Sequence, residues 1–278
     1  MSPMKIVATL VAVALLATPS LGKTIDKASP KLYQAGDAYK MHFPQLPDPN
    51  GWDVAFPPLI PTVLQGTLGD DWLCTETGPV HDIHLWVSFR GDLVPNLEDQ
   101  GLVGGTIQIW SNVPADPDAV SFSHPGEPLW TMFFDTSMPN VRIDPDGTGE
   151  QGWLEPPTVA ARPDHNQIYQ ISLVTDDSFT QTAGEIYWLT ANLLATDPAA
   201  PGVEEVGWKT SLNHFQDAAV YYNPLSAVGW SPLADLPPGM APLDLAFVIT
   251  PVPEPATVVL MMLGVIAVLA TSRSRWPR

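Results

Sequence analysis

The chain has 278 residues, with 30 Asp or Glu against 12 Lys or Arg, a formal charge of -18 and a pI near 4.4. A chain this acidic is repelled by a phosphate backbone, because binding one relies on Lys and Arg displacing condensed counterions, so nucleic acid is excluded as a partner. Hydrophobic residues make up 45%, enough for a sizeable core in spite of 31 prolines, and the length allows one large or two small domains.

At the N-terminus Lys5 precedes an apolar run over 6–17, and small or turn-forming residues follow from Thr18 to Gly22. That order of charge, apolar core and exit predicts a secretory signal peptide over 1–22, cleaved after Gly22. Its twelve-residue core is short of the ~20 residues that span a bilayer, which argues against a permanent anchor. Residues 23–61 hold six prolines between Pro44 and Pro61 and show no period of 2 or 3.6, which predicts an extended arm with Trp52 and Phe56 as docking points. Between Met41 and Pro253 the basic residues are only Arg90, Arg142, Arg162 and Lys209, against 27 acids. The body is close to polyanionic.

From Gln65 onward, period-two segments bounded by Pro, Gly, Asp or Asn predict strands. In 80–90, Ile83, Leu85, Val87 and Phe89 alternate with Asp82, His84, Trp86 and Ser88. Further strands are expected over 106–113, 129–135, 167–174, 186–194 and 243–250, with weaker ones at 71–75, 205–211 and 218–222. The expectation is an all-β domain over 62–251, a single jelly-roll-like β-sandwich of roughly nine strands. Cys74 has no partner in the chain, so no internal disulfide forms, and a buried, inert thiol is expected.

His81 and His84 have a tempting spacing, but three apart on a strand they face opposite ways and cannot share an ion. Asp82, His84 and Trp86 share a face, expected to be solvated. Asp70 and Asp71 send their carboxylates to opposite sides of a strand, serving edge protection or turn capping, and one of them could join a structural Ca²⁺ with a loop carboxylate such as Asp244. The better Ca²⁺ candidate is the acidic, Gly-rich turn over 144–150, with Asp144, Asp146, Thr148 and Glu150 as hard oxygen ligands. Asp144, Asp146, Thr148, Gly149 and Glu155 even fall at EF-hand positions, but Gln151 and the non-helical flanks break that pattern. Of the ten tryptophans most belong in a core. Trp86 and Trp110, opposite the aliphatic faces of their strands, are the two expected at the surface, where they would contact sugar. No nucleophile elbow, metalloprotease helix, phosphate loop or dinucleotide fingerprint is present, so no catalytic residue is assigned and a non-enzymatic role is expected. A secreted glycoside hydrolase using a carboxylate pair is the alternative, since such pairs are placed by the fold rather than by local spacing.

The C-terminus reads Pro253-Glu254-Pro255, an apolar stretch over 256–271, then a tail carrying Arg273, Arg275 and Arg278. Sixteen residues make a helix of about 24 Å, shorter than a ~30 Å hydrocarbon core, and the arginines would stay cytoplasmic. This tripartite segment over 252–278 resembles the PEP-CTERM sorting signal of exported bacterial proteins. The resemblance implies an inner-membrane-anchored precursor, an exosortase as partner, transient contact with the membrane, release to the cell surface or matrix, and association with exopolysaccharide. The body resembles an uncharacterised β-rich domain of the same exported class in Gly51-Trp-Asp-Val54, Asp70 to Val80, Gly149-Glu-Gln-Gly-Trp153, Ile186-Tyr-Trp-Leu189, Gly207-Trp-Lys-Thr-Ser211 and Leu243 to Thr250. That second resemblance implies one domain of about 200 residues and no particular activity.

Overall fold

The computed structural model describes residues 30–56, 67–98, 101–157, 159–176, 178–197, 205–234 and 241–251. The expected signal peptide, the Pro253–Pro255 motif, the apolar helix over 256–271 and Arg273, Arg275 and Arg278 lie outside them. Among the described residues no helix is long and apolar enough to cross a membrane.

Among the described residues fourteen strands run in chain order: β1 (Trp52–Ala55), β2 (Leu68–Leu73), β3 (Gly78–Pro79), β4 (Asp82–Phe89), β5 (Leu102–Val113), β6 (His124–Asp135), β7 (Val141–Glu155), β8 (Val159–Val174), β9 (Thr180–Gln181), β10 (Ile186–Thr196), β11 (Val206–Lys209), β12 (Val220–Tyr222), β13 (Trp230–Pro232) and β14 (Phe247–Thr250). The fold is all-β, as the alternation requires, but it is not a plain sandwich. β3 and β9 pair by themselves, and of the two six-stranded sheets one is open, in the order β13-β12-β2-β10-β5-β6. In the other, ordered β11-β1-β7-β8-β4-β14, β11 also pairs with β4, so β11, β1, β7, β8 and β4 close into a five-stranded barrel. β1 and β7 are parallel, the remaining barrel pairs antiparallel.

Closure is a matter of curvature. The β7–β8 ladder shifts register three times between Pro145 and Trp153, and each irregularity bends and twists a strand more than a flat pleat allows. β1 also falls within the stretch expected to be an arm. It lies between β7 and β11 as a barrel strand, and only the residues before it behave as an arm, bonding through the Lys40 and Gln45 amides to the Ile249 and Phe247 carbonyls.

The main core lies between the barrel wall and the open sheet. Leu85, Leu154, Trp208 and Phe247 meet Trp72, Ile109, Leu189 and Phe134 there. The aliphatic face of β4 is buried as its alternation predicts, while a second cluster of Trp110, Trp188, Val220 and Trp230 sits apart from the main core. Cys74 is buried, with its Sγ donating to the Glu76 carbonyl at 3.3 Å.

Gly207 shows how little room remains inside the barrel. A Cβ there would lie 2.9 Å from the Trp153 ring and 3.0 Å from the Asp53 Cβ, both held by buried neighbours. Gly207→Ala should therefore destabilise the fold by about 1–3 kcal/mol, the usual cost of overpacking, read as a lowered midpoint in urea at unchanged slope.

Candidate functional site: the polar lumen of the barrel

Contacts that skip a strand identify the inward face of the ring, because only inside a closed barrel can side chains of non-neighbouring strands meet. Asp53 on β1 reaches His165 on β8 at 2.8 Å, Ser88 on β4 reaches Gln151 on β7 at 3.2 Å, and Trp86 on β4 reaches Asp146 on β7 at 2.6 Å. The lumen is thus lined with polar groups, and its outer wall supplies the apolar core.

At one end Asp53 Oδ2 accepts from Lys209 Nζ at 3.0 Å and sits 2.8 Å from His165 Nε2, with the side chains of all three fully buried. Asp164 lies 2.9 Å from the other imidazole nitrogen. Burial disfavours the charged imidazole, but the two carboxylates outweigh it and hold His165 above the usual histidine range. Burial also pulls the Lys209 ammonium down, an effect that Asp53 partly offsets. Trp153 stands edge-on to His165 at 5.8 Å, and the Arg90 guanidinium covers the Trp153 ring at 5.8 Å while pairing with Glu155 and Glu205, each at 2.7 Å. Cation, imidazole and carboxylate are buried from solvent here. Their chemistry is that of a buried ionic lock.

At the other end a single chain of hydrogen bonds fixes each orientation. Gln170 Nε2 donates to the Tyr33 carbonyl and to Asp146, so its Oε1 accepts, from the Tyr33 amide at 2.6 Å and from Ser172 Oγ at 3.1 Å. Ser172 has then spent its proton and accepts from His84 Nδ1 at 2.9 Å. Burial pushes the His84 imidazole down to about 4, so it is neutral, with the proton on Nδ1 and the lone pair on Nε2. Above it the arm residues around Tyr33 and Asp37 roof a cavity of about 440 Å³.

The structure places the anticipated residues differently from the surface picture. Trp86 is 2% exposed and Trp110 8%, so neither lies at the surface as expected. Alternation shows that the two faces of a strand differ, not which is wet: barrel closure turns the Trp86 face inward. Trp110 is covered by Trp230 and Phe122, and its Nε1 donates to Thr190 Oγ1 at 2.8 Å. Asp82, His84 and Trp86 likewise face the lumen and its mouth rather than open solvent.

The acidic segment over 144–150 is part of β7 rather than a free turn. Asp144 pairs with Arg142, and Asp146 accepts from Trp86 and Gln170. Among the described residues no three His, Cys, Asp or Glu converge as a metal site. Asp70 and Asp71 do face opposite sides of β2. Asp70 accepts from Gln45 at 2.7 Å and from the Leu245 amide at 2.6 Å, whereas Asp71, fully buried, has neither oxygen hydrogen-bonded among the described residues. Asp244 is held by His214 at 2.7 Å and by the Phe215 amide at 2.6 Å. Sequence reasoning missed Asp53, His165 and Lys209. The available signal was Lys209 itself, one of four cations in the body, set in a short apolar strand.

Residues 41–250 match the family model described as a domain of unknown function (DUF7901), and residues 251–275 match the PEP-CTERM protein-sorting motif. No curated protein and no solved structure matches the chain. The family match covers the whole barrel and open sheet, and the sorting motif begins one residue after β14 ends. The chain therefore belongs to the DUF7901 family, and its PEP-CTERM signal marks it as an exported protein processed by an exosortase.

Proposed function

We propose that this exported protein is a non-enzymatic module of the cell surface or extracellular matrix, serving adhesion, scaffolding or contact with exopolysaccharide. The observation that carries the reading is the sorting signal, attached directly to the end of a body whose buried Asp53, His165 and Lys209 are held in contact with one another. Calcium belongs to the same reading: extracellular Ca²⁺ would offset part of the self-repulsion of a chain at -18. Since Trp86 and Trp110 are buried, sugar contact would fall to exposed rings such as Phe133, 70% exposed on β6.

Deleting Pro253 to Pro255 in a host with an exosortase should leave the protein in the membrane fraction; normal release would overturn its dependence on the signal. A glycan array with and without EDTA tests the remainder. Retention of a polysaccharide without new reducing ends supports the structural reading. Release of reducing ends would instead establish a glycoside hydrolase working through a carboxylate pair.

A further inference from the structure

The walls of the cavity at the mouth of the barrel are rich in hydrogen-bond acceptors, with Lys31 and the Thr250 hydroxyl as donors among them. Its floor is His84, 3% exposed, whose Nδ1 is committed to Ser172 and whose Nε2 has no hydrogen-bond partner among the described residues. The part of this largely buried ring left uncovered opens on the cavity it lines, so the bare Nε2 lone pair is accessible from that space. Asp37, Glu76 and Asp82 bring three carboxylates to the same walls, against one ammonium, Lys31, on the arm. Thr250 Oγ1, also on the wall, is buried without a partner among the described residues. Tyr33 adds an aromatic surface, with its ring centroid 5.7 Å from that of His84.

Two observations separate the possible occupants. An anion is opposed by the three carboxylates and by a neutral imidazole that offers no proton to the cavity. A bare metal ion needs its ligands gathered at coordination distance, and no such group of three forms among the described residues. What suits acceptors spread around about 440 Å³, within the range of pockets that enclose small molecules, is a molecule with several N–H donors and a positive charge. Cations also favour aromatic faces such as that of Tyr33.

We propose that this cavity binds a small organic cation of the primary ammonium class, with His84 Nε2 accepting one of its N–H bonds and Asp37 and Glu76 balancing its charge. The low pKa of His84 keeps the acceptor unprotonated at neutral pH. Unlike the surface role above, this is a specific small-molecule site, and it stands whether or not polysaccharide is bound.

The test is a titration of the full-length chain in detergent with n-butylammonium chloride, followed by long-range ¹H–¹⁵N NMR of the histidine rings. The His84 Nε2 resonance should move saturably, and n-butanol at equal concentration should leave it in place. Asp37→Asn and Glu76→Gln, both on exposed positions, should each weaken the binding at least tenfold. His84→Asn keeps a donor for Ser172 but deletes the Nε2 acceptor, and should abolish the binding. Absence of saturation, an equal response to n-butanol, or undiminished affinity in the Asp37 and Glu76 variants would overturn the proposal. So would a response to Zn²⁺ alone, which would make the site a metal site.

Discussion

Lys209→Met is expected to cost the folded protein about 3–5 kcal/mol, because it strands a buried carboxylate. Asp53 lies at 0% exposure, its Oδ1 already lacks a partner among the described residues, and its Oδ2 is shared between Lys209 and His165. Removing the ammonium leaves the imidazole as the only cation in contact with Asp53 among the described residues. The loss should therefore depend on pH. The folded-state pKa of His165 is raised, so its contribution is fully present below the ordinary value near 6.5 and lost as pH rises through the folded value. Urea unfolding at pH 5.5 and pH 9 should find the variant more impaired at the higher pH. The double variant Asp53→Leu/Lys209→Met, in which neither charge remains, should recover part of the loss, since a buried pair often does little better than apolar residues of similar volume. If the single variant were as stable as the wild type, the lock would have no energetic role.

The lock also marks the boundary of what the sequence could reveal. Alternation in β4 located the core face correctly, residue by residue, because period two is a local property. The opposite face read as solvated because its residues are polar, and its true surroundings depend on β11 returning to β4 from more than a hundred residues downstream. Nothing local encodes that pairing, nor the parallel docking of β1 on β7 that carries Asp53 inward. The same gap explains Trp86 and Trp110, each correctly assigned to the non-aliphatic face and each covered by elements distant in sequence. Asp70 and Asp71 were legible as a split pair. Their nearness to Asp244 follows from the Leu245 amide bonding to Asp70, a contact across 175 residues.

That carboxylate group should give the protein an unusual response to acid: between about pH 8 and pH 6.5, above the range in which the buried His42 and His84 lose their support, stability should rise as pH falls. Burial comes first among the causes that raise Asp70 well above the ordinary carboxylate range, push Asp71 to about 8 and push Asp244 to about 6; for Asp70 and Asp71 the charge of Asp244 adds to it. A carboxyl whose folded pKa is raised contributes stability that is fully present below the unfolded value near 4 and is lost as pH rises through the folded value. The window therefore runs from about 4 to 6 for Asp244 and from about 4 to 8 for Asp71. His165 shifts stability in the same sense in the upper part of that range. Opposing these are His42 and His84, whose folded pKa values burial lowers to about 4, so that their support is lost as pH falls from about 6.5 to 4; nearer and below pH 4 come Asp92, held low against its own desolvation by the Gln167 and Asn166 amides, and Asp176, held low first by Ser178. Asp71 dominates, because neither of its oxygens is hydrogen-bonded among the described residues and ionising it in place strands a charge. Its share at pH 8 is on the order of 3–5 kcal/mol of destabilisation relative to pH 4. Melting in EDTA at pH 4.5, 6.5 and 8 should show a higher midpoint at pH 6.5 than at pH 8. Asp71→Asn should raise the pH 8 midpoint and flatten the profile, while leaving pH 4.5 nearly unchanged. A midpoint that falls from pH 8 to pH 6.5, and a pH 8 midpoint no higher in Asp71→Asn, would mean that Asp71 ionises without penalty in the folded chain, and so is partnered there. Restoration of the pH 8 midpoint by Ca²⁺ in the wild type, but not in Asp71→Asn, would identify that partner as a cation.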